Sequence, residues 1–237
     1  MDQAFLIVQK VALVALPLLF AITLHEAAHG WMAARKGDPT AQFMGRVTFN
    51  PLPHIDPFGT VLLPLGLMVL GSPFLFGWAK PVPVNFRALR RPKLDMAWVA
   101  AAGPGANLIL ALVSGMLIHA ILAAFPEYSP VLRLFPFSVP PLTGTDPGFW
   151  LPLLLMLKLS VEINVLLMLF NLIPIPPLDG GRIAVGLLPH RVAMPLARVE
   201  PYGMIILVVF LFLDPLGLMR GVLWPSIASV SHLILGG

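Results

Sequence analysis

The sequence predicts an all-α polytopic membrane protein folded as one domain. Three observations carry this expectation. Hydrophobic residues make up 58% of the 237-residue chain and charged residues 11%. The mean hydropathy is +0.89, a value of membrane-embedded rather than water-soluble chains. Apolar runs of spanning length recur between short polar or proline-rich connections, and at ~20 residues per span the chain has room for about five to six membrane segments. A single integral-membrane domain over 1–237 is expected, with its core over about 1–200 and a C-terminal span and tail over 201–237. The chain has no cysteine, which excludes disulfides and thiolate metal ligands. The net charge of +4 comes from few basic residues, and no basic and aromatic pattern suggests a nucleic-acid partner.

The first helix is expected from Ala4 to about Arg35, stopped by Gly37-Asp38-Pro39 with Arg35 and Lys36 at its C-terminal end. Its start, Met1-Asp2-Gln3, lacks the basic cluster of a signal peptide, so the run reads as a retained span. Residues 40–56 are too polar and proline-broken to cross, and Arg46 to Phe49 reads as a short strand. Strands or a short β-hairpin are therefore expected near 40–56 and 77–86. Residues 58–76 are apolar but carry Pro64, Gly66, Gly71 and Pro73. The loop after them holds Lys80, Arg87, Arg90, Arg91 and Lys93, and basic loops favour the cytoplasmic side. A broken or re-entrant segment keeps both basic loops on that side; a full crossing is the alternative. Irregular backbone at membrane depth requires protein or water around it, as beside a cavity.

Leu94 to Ala124 reads as a long helix, 125–148 as a proline-rich external loop, and Trp150 to Leu172 as a returning span. Within that span Lys158 and Glu162 are four residues apart and suit a structural ion pair. The stretch Asn171 to Arg182 is a kinked connection carrying one carboxylate, Asp179. A short helix begins near Ile183, Tyr202 to Leu213 forms the last span core, and Trp224 to Leu235 is apolar but short.

One motif lies inside the first span: Leu24-His25-Glu26-Ala27-Ala28-His29-Gly30. On a helix, His25 and His29 are one turn apart on one face, so two imidazoles can share a tetrahedral zinc while Glu26 stands beside the open position. Ionisable groups in a membrane span point to function. Two histidines leave a catalytic zinc one protein ligand short; Asp179 is the best-placed third ligand, Asp56 the next and Asp95 a weaker one. Glu26 is then the general base for water. Asn107, in Gly103-Pro104-Gly105-Ala106-Asn107, reads either as a donor to a developing oxyanion or as an interhelical hydrogen bonder beside a kink. His54 reads as a partner that hydrogen-bonds a metal ligand from outside or as a substrate-side hydrogen bonder, with Asn50 in the same turn. Val47 and Thr48 lie on the expected strand, which would hold a peptide extended. His119, His190 and His232 have no partner at ligand spacing. A metal-ion transporter built on the same His and Asp residues and a non-catalytic membrane scaffold are the rival readings.

Four separated motifs occur in order: H-E-x-x-H in a first membrane helix, Asn50-Pro51-x-x-His54-x-Asp56-Pro57, Gly103-Pro104-x-x-Asn107, and Leu178-Asp179-Gly180. Together they resemble the site-2 protease family of intramembrane zinc metalloproteases, over most of residues 20–185. Gly77 to Asn85 is similar to the segment of compact members lacking PDZ or CBS domains. The resemblance implies one zinc ion held by His25, His29 and Asp179, with Glu26 as acid-base and Asn107 facing substrate. It also implies a transmembrane protein substrate cleaved in the lipid bilayer, with selection by the core, its loops or a separate regulatory or adaptor protein. The expected location is a prokaryotic plasma membrane, with the site nearer the cytoplasmic side.

Overall fold

The computed structural model describes residues 3–63, 66, 77–134, 136–140, 148–214 and 217–236. Its helices, in order, are α1 (Gln3–Lys36), α2 (Thr40–Phe43), α3 (Pro92–Ala124), α4 (Trp150–Asn171), α5 (Asp179–Leu187), α6 (His190–Arg198), α7 (Gly203–Leu213) and α8 (Trp224–Leu235). Among the described residues, three helices are long and apolar enough to cross a membrane: α1 from Val8, α3 and α4. At ~1.5 Å per residue, α1 and α3 exceed a ~30 Å hydrocarbon core, so they tilt or protrude. Of the expected five to six membrane segments, three have full-length candidates among the described residues; the apolar helices α7 and α8 are shorter than a span. The greater part of the broken segment expected at 58–76 lies outside the described residues.

Helix α3 is the hub, packing on α1, α4 and α5. Helix α4 is the most enclosed of the three long helices, and its Leu154, Leu155, Val161 and Val165 are fully buried. Ile109, Met116 and Leu117 on the outer face of α3 are exposed. A helix apolar on all sides places one face on its neighbours and the other on lipid. Inside this bundle Lys158 forms an ion pair with Glu162, as their spacing suggested. Glu162 Oε2 also accepts the Phe137 N–H at 2.8 Å, so the connection after α3 folds inward onto α4. Pairing and a backbone donor together offset the desolvation of two buried charges.

The expected strands are absent: among the described residues of 40–56 and 77–86 there is a short helix, turns and extended backbone, but no ladder. Local competition explains the first segment. The Asn50 N–H is taken by Thr48 Oγ1 and the Leu52 N–H by Asn50 Oδ1, each at 3.1 Å, and side chain to backbone bonds of this kind compete with sheet pairing. Arg46 turns inward instead of flanking a strand, its Nη2 donating to Lys80 O at 2.6 Å and Pro81 O at 3.2 Å. In 77–86, Pro81 and Pro83 remove alternate N–H groups from one edge. The intervening Val82 N–H goes to a carboxylate, described below. The fold is therefore all-helical with extended loops, and pattern alone overstated the β character.

Helix α1 ends where Asp38 N–H reaches back to Ala33 O at 2.9 Å. The buried Asp38 carboxylate then accepts the Thr40 and Asn85 N–H groups. Arg90 N–H donates to Lys36 O at 3.0 Å. These bonds fix the 77–91 connection against the C-terminal end of α1, two turns from the histidines.

Candidate metal centre

His25 and His29 lie on the face of α1 directed at α3 and at the start of α5. Their Nε2 atoms are 3.1 Å apart, and Asp179 Oδ2 lies 3.2 Å from His25 Nε2 and 3.4 Å from His29 Nε2. The side chains are nearly enclosed, at 10%, 12% and 9% exposure respectively. A tetrahedral zinc with bonds of ~2.0–2.1 Å sets its ligand atoms ~3.3–3.4 Å apart. The observed triangle matches one face of such a tetrahedron.

Proton bookkeeping leads to the same conclusion. His25 Nδ1 lies 2.6 Å from Asn107 Oδ1, and His29 Nδ1 lies 2.7 Å from the backbone oxygen of Val99. A carbonyl oxygen only accepts, so both Nδ1 atoms carry the hydrogen, and in the neutral rings that metal ligation requires both Nε2 atoms present lone pairs. Asp179 Oδ2 is buried without a hydrogen-bond partner. Three lone-pair atoms within 3.4 Å of one another repel unless a cation lies among them. The donor set, two imidazoles and a carboxylate with outer hydrogen bonds that fix each ring, suits a metal ion with a further position left open.

Close approach of backbone makes the cluster possible. A Cβ on Gly180 would stand 2.2 Å from Leu172 O, so only glycine lets the chain reverse after α4 and aim Asp179 at α1. A Cβ on Gly103 would stand 2.5 Å from His29 Cε1 and Nε2 and 2.6 Å from His25 Cε1. The bare Gly103 backbone of α3 thus forms a wall of the site.

Glu26 directs Oε2 at the Val82 N–H, 2.8 Å away, which ties the extended 77–85 segment to the motif. Asn107 is fully buried; beyond accepting from His25 it donates to Ala21 O at 3.2 Å and to Asn164 Oδ1 at 2.8 Å. Val47 packs on Gly30, the residue after His29. Thr48 and Asn50 make the turn bonds already described. His54 is buried, its backbone oxygen accepts the Lys80 N–H at 2.9 Å, and both ring nitrogens lack partners among the described residues. Burial, with the Arg46 charge adding to it and Glu26 opposing, lowers the His54 pKa from its ordinary value. Asp56 caps the turn at Phe58 and Gly59, and Asp95 caps Arg91 N–H and faces Lys36, so neither joins the cluster. Gly103 and Val82 lie in stretches that the sequence singles out, but nothing in their residue types points to the histidines or to Glu26, and Val99 carries no signal at all. Asn164 showed only as a polar exception in an apolar run.

Residues 13–144 and 146–213 match the family model described as Peptidase family M50. The chain belongs to peptidase family M50. This is the site-2 protease family, as the motif order implied, and the two matched stretches leave only residue 145 between them. "Putative zinc metalloprotease YwhC" of Bacillus subtilis is 40% identical over 218 residues, 92% of this chain and 87% of that protein. "Putative zinc metalloprotease Rip2" of Mycolicibacterium smegmatis is 30% identical over 197 residues, 81% of this chain and 64% of that protein. The Mycobacterium tuberculosis protein of the same name is 29% identical over 218 residues, 90% of this chain and 73% of its own length. No solved structure matches. This M50 member is an integral-membrane zinc metalloprotease, and among its described residues His25, His29 and Asp179 form a group able to hold a metal ion.

Proposed function

We propose that this protease hydrolyses peptide bonds of transmembrane protein substrates within the bilayer, with His25, His29 and Asp179 as zinc ligands and Glu26 moving the proton. The observation that carries the reading is the triangle of three lone-pair atoms on a helix of spanning length. His29 lies seven residues before the end of α1, or ~10 Å along its axis. That end collects Arg35 and Lys36 and, through the Arg90 bond to Lys36, the basic 87–93 stretch. This clustering supports a site near the cytoplasmic leaflet, and the bacterial relatives support a prokaryotic plasma membrane.

When bound, zinc supplies a Lewis acid that polarises the scissile carbonyl and brings the pKa of water toward ~7. The chain's residues do the rest. The Val82 amide holds one carboxylate oxygen of Glu26 and leaves Oε1 for the attacking water, whose proton Glu26 accepts and passes to the leaving amine. Asn107 and the Val99 carbonyl fix the tautomers and ring planes of His25 and His29. The hydrogen bonds of Asn107 support this orienting role. Donation to a substrate oxyanion would require an N–H now held by Ala21 O or Asn164. Val47, Thr48, Asn50 and His54 lie on the segment that borders the site at Gly30, and we assign them to the substrate side. A separate adaptor protein fits a chain whose family region carries no inserted domain.

The test uses purified protein, a tagged transmembrane substrate, and Glu26→Gln compared with the native chain, each with and without chelator. Native cleavage should fall by at least about 100-fold on either change. Cleavage that survives both overturns the assignment.

A further inference from the structure

Behind the metal centre a chain of buried amides runs from α1 through α3 into α4, and each link has only one permitted orientation. Asn164 donates through Nδ2 to the backbone oxygen of Ser160 at 2.8 Å and lies 3.3 Å from Ser160 Oγ. Because that carbonyl only accepts, Asn164 Oδ1 must face the other way, where it receives the Asn107 amide at 2.8 Å. The second Asn107 hydrogen goes to Ala21 O at 3.2 Å. Asn107 Oδ1 is thereby turned to His25 Nδ1, 2.6 Å away, and the hydrogen on His25 is held at Nδ1. Flipping either amide would set oxygen against oxygen. Asn164 is 1% exposed and Asn107 is fully buried, so no bulk water competes for these bonds.

We propose that Asn164 is a positioning residue of the metal centre. It makes no hydrogen bond to His25, His29 or Asp179, but through Asn107 it selects the His25 tautomer whose Nε2 offers a lone pair to the metal. The shorter of the two bonds that prevent Asn107 from flipping is the one to Asn164; the other is the longer contact to Ala21 O. The carbonyl of α4 thus reads through two side chains onto α1, linking the packing of three helices to metal affinity. Outer-shell partners of metal-ligating histidines are worth about 10- to 100-fold in affinity. Asn164 acts one bond further out, so a loss of about fivefold is expected, equivalent to one net hydrogen bond. The inference rests on the zinc-protease reading above.

The experiment measures zinc affinity of the purified full-length chain by competition with a chromophoric chelator, alongside thermal unfolding with and without zinc. Asn164→Leu, of similar volume, should bind zinc about fivefold more weakly. Ser160→Ala keeps the backbone oxygen and should stay within about twofold of native. Asn164→Asp, protonated on the oxygen facing Ser160 O, keeps both bonds and should recover most of the affinity. If Asn164→Leu does not fold, Asn164→Ala reads the same quantity. Native zinc affinity in the leucine or alanine variant, with only a lower unfolding temperature, overturns the positioning role. An equal loss in Ser160→Ala also overturns it, because the network would then be merely structural. A native chain that binds no zinc overturns the metal reading itself.

Discussion

Gly103→Ala separates the metal centre from the fold. The added methyl would lie 2.5 Å from His29 Nε2 and Cε1 and 2.6 Å from His25 Cε1, and its three nearest neighbours all belong to those two rings. Ordinary van der Waals contact begins at 3.4 Å, so His29 must retreat by about 0.9 Å. A metal ligand tolerates only about ±0.2 Å. His29 therefore cannot clear the methyl and also complete the tetrahedron. Helix α3 itself has a reason to accept alanine, which is favoured over glycine in a helix interior by roughly 0.5–1 kcal/mol. The expected outcome is a folded, helical protein whose zinc content is lost or whose affinity falls by at least about 100-fold, with proteolysis lost in parallel. Metal-to-protein ratio by elemental analysis, zinc competition and circular dichroism report the three quantities separately. A Gly103→Ala protein that keeps one zinc at native affinity would refute the close approach of α3 to the histidines.

Two further outcomes follow from the surroundings of Glu26. Val82→Pro removes the N–H that holds Glu26 Oε2 and, between Pro81 and Pro83, leaves the backbone extended. Cleavage should fall by about 10-fold or more with zinc content unchanged; unchanged turnover would show that the tether is idle. His54 supplies a pH dependence of stability. Its folded pKa lies below the ordinary value, chiefly through burial and then the Arg46 charge. Below about pH 6.5 the unfolded chain therefore takes up a proton that the folded chain resists. The His54 contribution is fully present above that pH and is lost as pH falls through the lower folded value. His54→Asn should consequently lose less thermal stability than the native chain between pH 7 and 5, and parallel losses would contradict the burial of a neutral ring.

The two predicted strand regions show where one-dimensional pattern stops being informative. Arg46 to Phe49 alternates in the manner of a strand, yet Thr48 and Asn50 satisfy nearby N–H groups locally and Arg46 is drawn under the 80–81 backbone. Pairing also needs a partner edge with free donors. Pro81 and Pro83 remove them in the second segment. The remaining Val82 donor was committed to Glu26, a contact between residues 56 positions apart.

By itself the sequence determined the membrane-embedded, mainly helical class and the long helices, and it offered the motif His25-Glu26-x-x-His29 with Asp179 as the leading candidate for a third ligand; the strands it also suggested are absent among the described residues. The helices, the motif and Asp179 were legible because bilayer thickness imposes span length, helix pitch places residues four apart on one face, and a carboxylate between prolines and glycines needs a reason to be there. Tertiary structure decided which oxygen and which nitrogens converge, and through which outer bonds. The Val99 carbonyl and Asn107 lie 70 and 82 residues from the histidines they serve, and Asn164 lies a further 57 beyond Asn107. A backbone oxygen leaves no mark in residue type or spacing, and a glycine does not announce which side chains it lets approach. Only the packing of α3 between α1, α4 and α5 brings such groups to the histidines and fixes their lone pairs on a single point.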